Sequence, residues 1–171
     1  MKTKIVLIGM VFLIAGCGFE PMYGTTRFQA PDTDQIALES KLAQIEIENI
    51  PNREGQFLRN LLIDRFYQNG KPAQPQYRLS IATLRESISD LDITKESDST
   101  RAQLRLDTAM TLIDSATGEA ILTRNLRAIG SYNILTSEFS TRVSENSTRE
   151  NVLNDLARQI ELQIALFLET K

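Results

Sequence analysis

Along KLAQIEIENIP, Ala43, Ile45 and Ile47 fall on one side of an extended chain, with Gln44, Glu46 and Glu48 on the other. That period of two predicts a half-buried strand. Pro51 lacks an N–H donor and ends it, and Asn52 is a candidate helix cap. From Arg53 the period lengthens. Phe57, Leu58, Leu61, Leu62 and Phe66 form a stripe, with Arg53, Arg59, Asp64 and Arg65 largely off it, so an amphipathic helix is predicted. Asn69-Gly70 suits its end, and the proline-marked KPAQPQ is a loop.

The next stretch, YRLSIATLRESIS, reads as one strand. Tyr77, Leu79, Ile81 and Thr83 alternate with Arg78, Ser80 and Ala82. The polar run DLDITKESDST, Asp90 to Thr100, predicts a loop. In RAQLRLDTAMTLID, Ala102, Leu104, Leu106, Thr108, Met110 and Leu112 face one way, and Arg101, Gln103, Arg105, Asp107 and Thr111 the other. Ser115 to Gly118 predicts a tight turn with Gly118 at positive φ. The returning strand EAILTRNLRAIGSYNI alternates less cleanly at Arg124-Asn125, where a bulge would restore register. Last, Val152, Leu153, Leu156, Ala157, Ile160, Ile164 and Phe167 recur at helical spacing. That helix runs from Val143 to Leu168 or begins as early as Glu138, because the serines and threonines there weaken propensity without forbidding it.

The order β-α-β-β-β-α gives strands with one apolar face and helices with one apolar stripe. Each must cover the other. The expected fold is α+β, a two-layer sandwich: a four-stranded, mostly antiparallel sheet with two helices on one face. The second sheet face is then polar and partly basic.

The N-terminal segment obeys a different pattern. Lys2 and Lys4 precede an apolar run from Ile5 to Ile14. As a helix, ten residues span about 15 Å, half of a ~30 Å hydrocarbon core. The run suits a secretory signal better than a membrane span. It ends Ile14-Ala15-Gly16-Cys17, which resembles a bacterial lipobox. In such signals the cysteine sulfur receives a diacylglycerol, and cleavage exposes an amine that is acylated with a fatty acid such as palmitate. Three acyl chains hold far more firmly than the marginal single chain. Gly18 follows, not the aspartate that retains such proteins at the inner membrane, which fits the outer membrane. The expected organisation is a signal peptide over 1–16, a lipidated tether over 17–35 and one domain over 36–171. The anchoring residue is Cys17.

Charge and composition narrow the chemistry. The 171-residue chain carries a formal charge of −3, one cysteine, no histidine and no tryptophan. An acidic balance gives no support for nucleic-acid binding. Without histidine, the usual Cys/His zinc sites and Ser-His-Asp or Cys-His catalysis are excluded. No phosphate loop or calcium loop is present. Composition leaves carboxylate-only metal sites and Ser-Lys chemistry open, but nothing reads as an enzyme, and no enzyme activity, metal or cofactor is expected.

Cys17-Gly18-Phe19-Glu20-Pro21-Met22-Tyr23-Gly24 resembles the CGFxPLYG start of mature LPS-assembly lipoproteins, the LptE family, in its alphaproteobacterial form. Gly130-Ser131-Tyr132-Asn133, followed by a helix ending Ala157-Arg158-Gln159-Ile160 and Ala165-Leu166-Phe167, is similar to the family's GSYN and LAxxIxxxLALYF endings. Met22 replaces a usual leucine and Phe167 a usual tyrosine. The resemblance implies a lipoprotein on the periplasmic side of the cell outer membrane. It would plug the LptD-type β-barrel, one to one, assist the barrel's folding and form with it the translocon that inserts lipopolysaccharide into the outer leaflet. It also implies direct lipopolysaccharide binding.

A plug within a polar lumen needs a polar surface, and arginine matches phosphate in a fork geometry. Arg101, Arg105, Arg124 and Arg127 are therefore the candidate lipopolysaccharide-contacting patch, ahead of Arg78. The competing reading of those arginines is a merely solvated sheet face. The alternative function is another outer-membrane-anchored periplasmic lipoprotein, acting as a lipid carrier or transport auxiliary, which would need a deep apolar pocket.

Overall fold

A computed structural model describes residues 33–67, 70–91 and 101–170. The lipobox, Cys17 and most of the expected tether lie outside the described residues. The elements are α1 (Thr33–Leu42), β1 (Ile45–Ile47), α2 (Asn52–Phe66), β2 (Tyr77–Ile81), β3 (Arg85–Asp90), β4 (Arg101–Asp114), β5 (Ala120–Asn133) and α3 (Glu138–Glu169). They form the expected α+β sandwich, with two additions.

The first addition is α1. The alternation predicted no helix there and placed extended tether as far as Gln35; the helix begins at Thr33. It takes up Lys41 and Leu42, so the strand expected over KLAQIEI shrinks to three residues. Leu42 is buried, and the Lys41 ammonium donates to the Leu168 carbonyl at 2.8 Å. That bond places a cation at the negative end of α3, where terminal carbonyls lack partners.

The second addition is a fifth strand. The single strand expected over YRLSIATLRESIS breaks at Ala82–Leu84 into β2 and β3. Both lie antiparallel to β4 on the same side, β2 along Met110–Asp114 and β3 along Ala102–Asp107. The sheet therefore has four lanes: β1, then β2 followed by β3, then β4, then β5. β1 runs parallel to β2, joined through α2.

On β4 the expected alternation holds. Ala102, Leu104, Leu106, Thr108, Met110 and Leu112 are buried, while the odd-numbered residues line the opposite face. β5 mirrors this, with Leu112 opposite Leu122, Leu106 opposite Ala128 and Ala102 opposite Tyr132. The bulge expected at Arg124-Asn125 sits instead at Ile121, where the register shifts between Leu112 and Ile113. The turn before it has Gly118 at φ +74, with Asp114 Oδ1 accepting from the Ala116 and Thr117 amides.

α3 begins at Glu138, the earlier of the two starts allowed by sequence. Ser137 caps it, accepting from the Ser140 amide at 3.4 Å. Its 32 residues reach about 48 Å. Val152, Leu153, Leu156, Ala157, Ile160, Ile164 and Leu168 are buried; Phe167, expected in the stripe, is only half-buried. Gly130 lets the helix approach β5. A Cβ there would lie 2.7 Å from the methyl groups of both Thr148 and Val152.

α2 buries Leu58, Leu62 and Phe66. Asn52 is not its cap. Pro51 occupies that position without a side-chain bond, and Asn52 itself has φ +69. Past the helix, the Tyr67 hydroxyl donates to the Ile45 carbonyl at 2.7 Å and accepts from the Ile47 amide at 3.1 Å. One side chain thus satisfies two backbone groups along β1, which has one neighbouring strand.

Candidate functional site

The face of the sheet opposite the helices is polar. At one end its charges pair: Arg78 Nη1 lies 3.6 Å from Glu48 and Lys71 Nζ 3.5 Å from Glu46. At the other end cations outnumber anions. Asp107 stands at the centre of a row across three strands, opposite Arg85 on β3 and opposite Arg127 on β5. Arg105, two residues back along β4, shares that face. Arg127 Nε donates to Asp107 Oδ1 at 2.6 Å, and Arg105 Nε lies 3.2 Å from Oδ2. The Asp107 carboxyl is held below the usual carboxylate range. The Arg127 hydrogen bond is the largest cause, slight desolvation opposes it, and the charges of Arg127, Arg105 and Arg85 add to it.

Three guanidinium groups thus surround one carboxylate, and the excess is positive. The Arg105 and Arg127 side chains are 44% and 59% exposed, so their remaining N–H donors face solvent. Such a surface can receive a phosphate or another compact anion by charge-assisted bonds.

Of the four arginines expected in the patch, the structure brings Arg105 and Arg127 together around Asp107. Arg101 lies on the same face of β4, further along, opposite Asn133. Arg124 does not share the face. It stands opposite Met110, on the helix side of the ladder, exposed, with Nη1 donating to the Thr123 carbonyl at 2.9 Å. Arg78 is on the open face but paired with Glu48.

Arg85 is the residue that alternation missed. Counted from Tyr77, Leu79 and Ile81, it shares their odd parity and belongs on the apolar face. The break at Ala82–Leu84 reverses that parity. A trace of the reversal is visible in sequence, since the apolar positions change from odd, 77 to 81, to even, Leu84 and Ile88.

On the helix face of β3, Glu86 meets Arg149 of α3. Arg149 Nε and Nη2 reach the two carboxylate oxygens at 2.8 Å each, and Nη2 also reaches Glu145 at 2.6 Å. The Arg149 pKa is raised, first by the Glu86 hydrogen bond. Beside it, a cleft of about 330 Å³ between α2 and α3 is lined by charged and amide side chains, with Phe57 and Leu153 as its apolar part. Among the described residues there is no metal-ligating cluster and no helix long and apolar enough to cross a membrane.

No protein-family model matches the chain, and no curated protein matches it. Solved structures do. A candidate lipoprotein from Caulobacter crescentus superposes with TM-score 0.62 at 22% identity, covering 80% of this chain and 98% of that one. The minor lipoprotein from Acinetobacter baumannii gives 0.52 at 23% identity, covering 71% and 88%. Rare lipoprotein B from Shewanella oneidensis gives 0.55 at 12% identity, covering 74% and 94%. At these identities the likeness is one of fold.

Proposed function

We propose that this chain is an outer-membrane lipoprotein of lipopolysaccharide assembly, anchored through Cys17, that plugs an LptD-type β-barrel and assists its folding. Its open sheet face contacts lipopolysaccharide. The observation that carries the reading is the cluster of Arg85, Arg105 and Arg127 around Asp107 on a solvent-facing sheet. A plug needs a polar exterior against a polar lumen, and lipid A presents phosphates to which guanidinium groups are matched. The shared fold with proteins named as lipoproteins supports the class, and the CGFEPMYG segment supports the family resemblance. The carrier alternative is less well served, because the cleft between the helices has only Phe57 and Leu153 as apolar side chains among nine lining residues.

Two experiments test this. Affinity purification of the full chain from envelope membranes is expected to recover a large β-barrel. Its absence, with barrel levels stable after depletion of this protein, would favour the carrier. The second measures binding of labelled lipopolysaccharide to the full chain in detergent. Replacing Arg105 and Arg127 together by glutamine is expected to weaken binding by about tenfold or more, since a charge-assisted bond is worth ~1.5–3 kcal/mol. Replacing Arg124 is expected to change it little. Unchanged affinity on losing Arg105 and Arg127 would remove the patch from the mechanism.

A further inference from the structure

The lane formed by β2 and β3 contains one residue more than β4 opposite it. Ile81 pairs with Met110 and Arg85 with Asp107, so Ala82, Thr83 and Leu84 face only Thr108 and Ala109. Side chains alternate between faces, and a one-residue slip moves every following side chain to the other face. Continued regularly from Ile81, the ladder would set Arg85 opposite Leu106 on the helix side. Glu86 would then stand opposite Arg105 on the open side. A carboxylate would replace a cation in the middle of the arginine cluster. The bulge does the reverse, putting Arg85 in the Asp107 row and giving Glu86 to Arg149.

One ladder bond and one side-chain bond tie the bulge to β4, and only the second is particular to it. The Ala82 amide donates to the Ala109 carbonyl at 2.9 Å, and the Thr108 hydroxyl donates to the Ala82 carbonyl at 2.8 Å. Thr108 is 5% exposed and is the buried polar side chain among the described residues. A buried hydroxyl without a partner is costly. In a regular ladder the Ala82 carbonyl would accept from the Ala109 amide instead, leaving the Thr108 hydroxyl without that acceptor.

We propose that Thr108 is a positioning residue of the anion-binding face. From the opposite side of the sheet its hydroxyl fixes the bulge at Ala82–Leu84, which selects the register that places Arg85 opposite Asp107 and keeps Glu86 off the open face. This rests on reading the open face as the lipopolysaccharide-contacting surface, and it names a residue that touches no ligand yet sets the charge of that surface.

The test uses the full chain in detergent with diphosphoryl lipid A as the probe. Thr108→Val keeps shape and removes the hydroxyl. It is expected to weaken binding more than Arg85→Gln does, because it also brings Glu86 to the open face; Arg85→Gln alone is expected to cost roughly tenfold if one charge-assisted bond is lost. Adding Arg85→Gln to Thr108→Val is expected to produce no further loss. Deleting Thr83 in the Thr108→Val chain removes the extra residue, sets Arg85 opposite Asp107 in a regular ladder, and is expected to restore binding. A merely structural threonine would not be rescued by that deletion. Thr108→Ser is expected to bind like the native chain. Should Thr108→Val not fold, the Thr83-deleted version decides: folding with native affinity supports the proposal, and failure to fold or bind overturns it. Native affinity in Thr108→Val, with Arg85 still contributing, overturns it as well. If the native chain itself does not bind lipid A, the reading of the face fails. The Asp107 pKa, measured by carboxyl NMR in native and Thr108→Val chains, then still tests Thr108. It is expected to rise when Arg85 leaves, and an unchanged value overturns the proposal.

Discussion

At the end of the sheet where β1 flanks β2, Ile45, Ile47, Leu79 and Ile81 are buried beneath the helices. Past the bulge, Glu86, Ile88 and Asp90 lie on the same side of the sheet, yet every residue of β3 is exposed. α3 divides in the same way. Its buried residues run from Val152 to Leu168, and none occurs from Glu138 to Asn151, where Phe139 is 78% exposed. The closed end has α1 and α2 alongside α3; at the open end α2 reaches only as far as the polar clefts beside Arg149 and Glu86. Facing the helix layer is therefore not enough to bury a side chain. Burial follows the number of elements that converge there, and polar groups gather where few do.

The largest expected effect separates the two ends directly. Leu156 is fully buried and Ile88 is 46% exposed. Leu156→Ala is expected to cost ~2–5 kcal/mol, the loss of transfer energy plus a cavity. Ile88→Ala is expected to stay within about 0.5 kcal/mol. Urea unfolding followed by circular dichroism measures both. Equal losses would mean that β3 is as well covered as the closed end.

The second effect falls where α3 passes between the two ends. Gly130→Ala introduces a Cβ against the methyls of Thr148 and Val152. Both side chains are β-branched and stiff at χ1, so they yield poorly. Overpacking of this kind costs ~1–3 kcal/mol. Thr148→Ser with Val152→Ala removes both methyls, and in that background the added cost of Gly130→Ala is expected to shrink. If it does not, the helix is held away from the strand by something other than these contacts.

The same division explains what could be read from sequence. β4 was legible because one face is buried and one solvated along its whole length, so its period of two is clean. Arg105 followed from that alternation, whereas Arg127 lies on β5, where the alternation reads less cleanly. α1 was not legible because TDQIALESKL shows no stripe; Leu42 and the Lys41 bond to Leu168 hold it through tertiary contact. Arg85 was missed because a bulge reverses parity, and only the shift of apolar positions to Leu84 and Ile88 marks it. Arg124 was misplaced for another reason. It occupies the helix side of the ladder without being covered, so its polarity suggested the wrong face.

A smaller effect tests how the closed end protects its short edge. Tyr67→Phe removes both hydroxyl bonds to β1 and is expected to cost about 1 kcal/mol. It also has a pH signature. Burial raises the Tyr67 pKa above its ordinary value, the bond from Ile47 opposes this, and the charge of Glu46 adds to the rise. Folding therefore favours the protonated phenol. The contribution is fully present below the unfolded pKa near 10 and is lost as pH rises through the higher folded value. Thermal unfolding between neutral and strongly alkaline pH is expected to show a steeper fall in the native chain than in Tyr67→Phe. Parallel curves would mean that the hydroxyl is free to ionise in the folded state.

The smallest effect belongs to the open end and has the opposite sign. Asp107 is solvated, so its titration is expected to move global stability little, but its pKa reports the cluster. The Arg127 hydrogen bond depresses it most, with the charges of Arg127, Arg105 and Arg85 contributing. Folding favours the carboxylate. The contribution is present above the unfolded pKa near 3.9 and is lost as pH falls through the lower folded value. Carboxyl NMR titration is expected to give a larger upward shift for Arg127→Gln than for Arg85→Gln, because only Arg127 has a hydrogen bond to remove. Arg124→Gln is expected to leave Asp107 in place, since that side chain lies on the other side of the ladder. A shift from Arg124→Gln as large as that from Arg85→Gln would mean that charge reaches Asp107 without regard to face. The register at the bulge would then lose its consequence for the open surface.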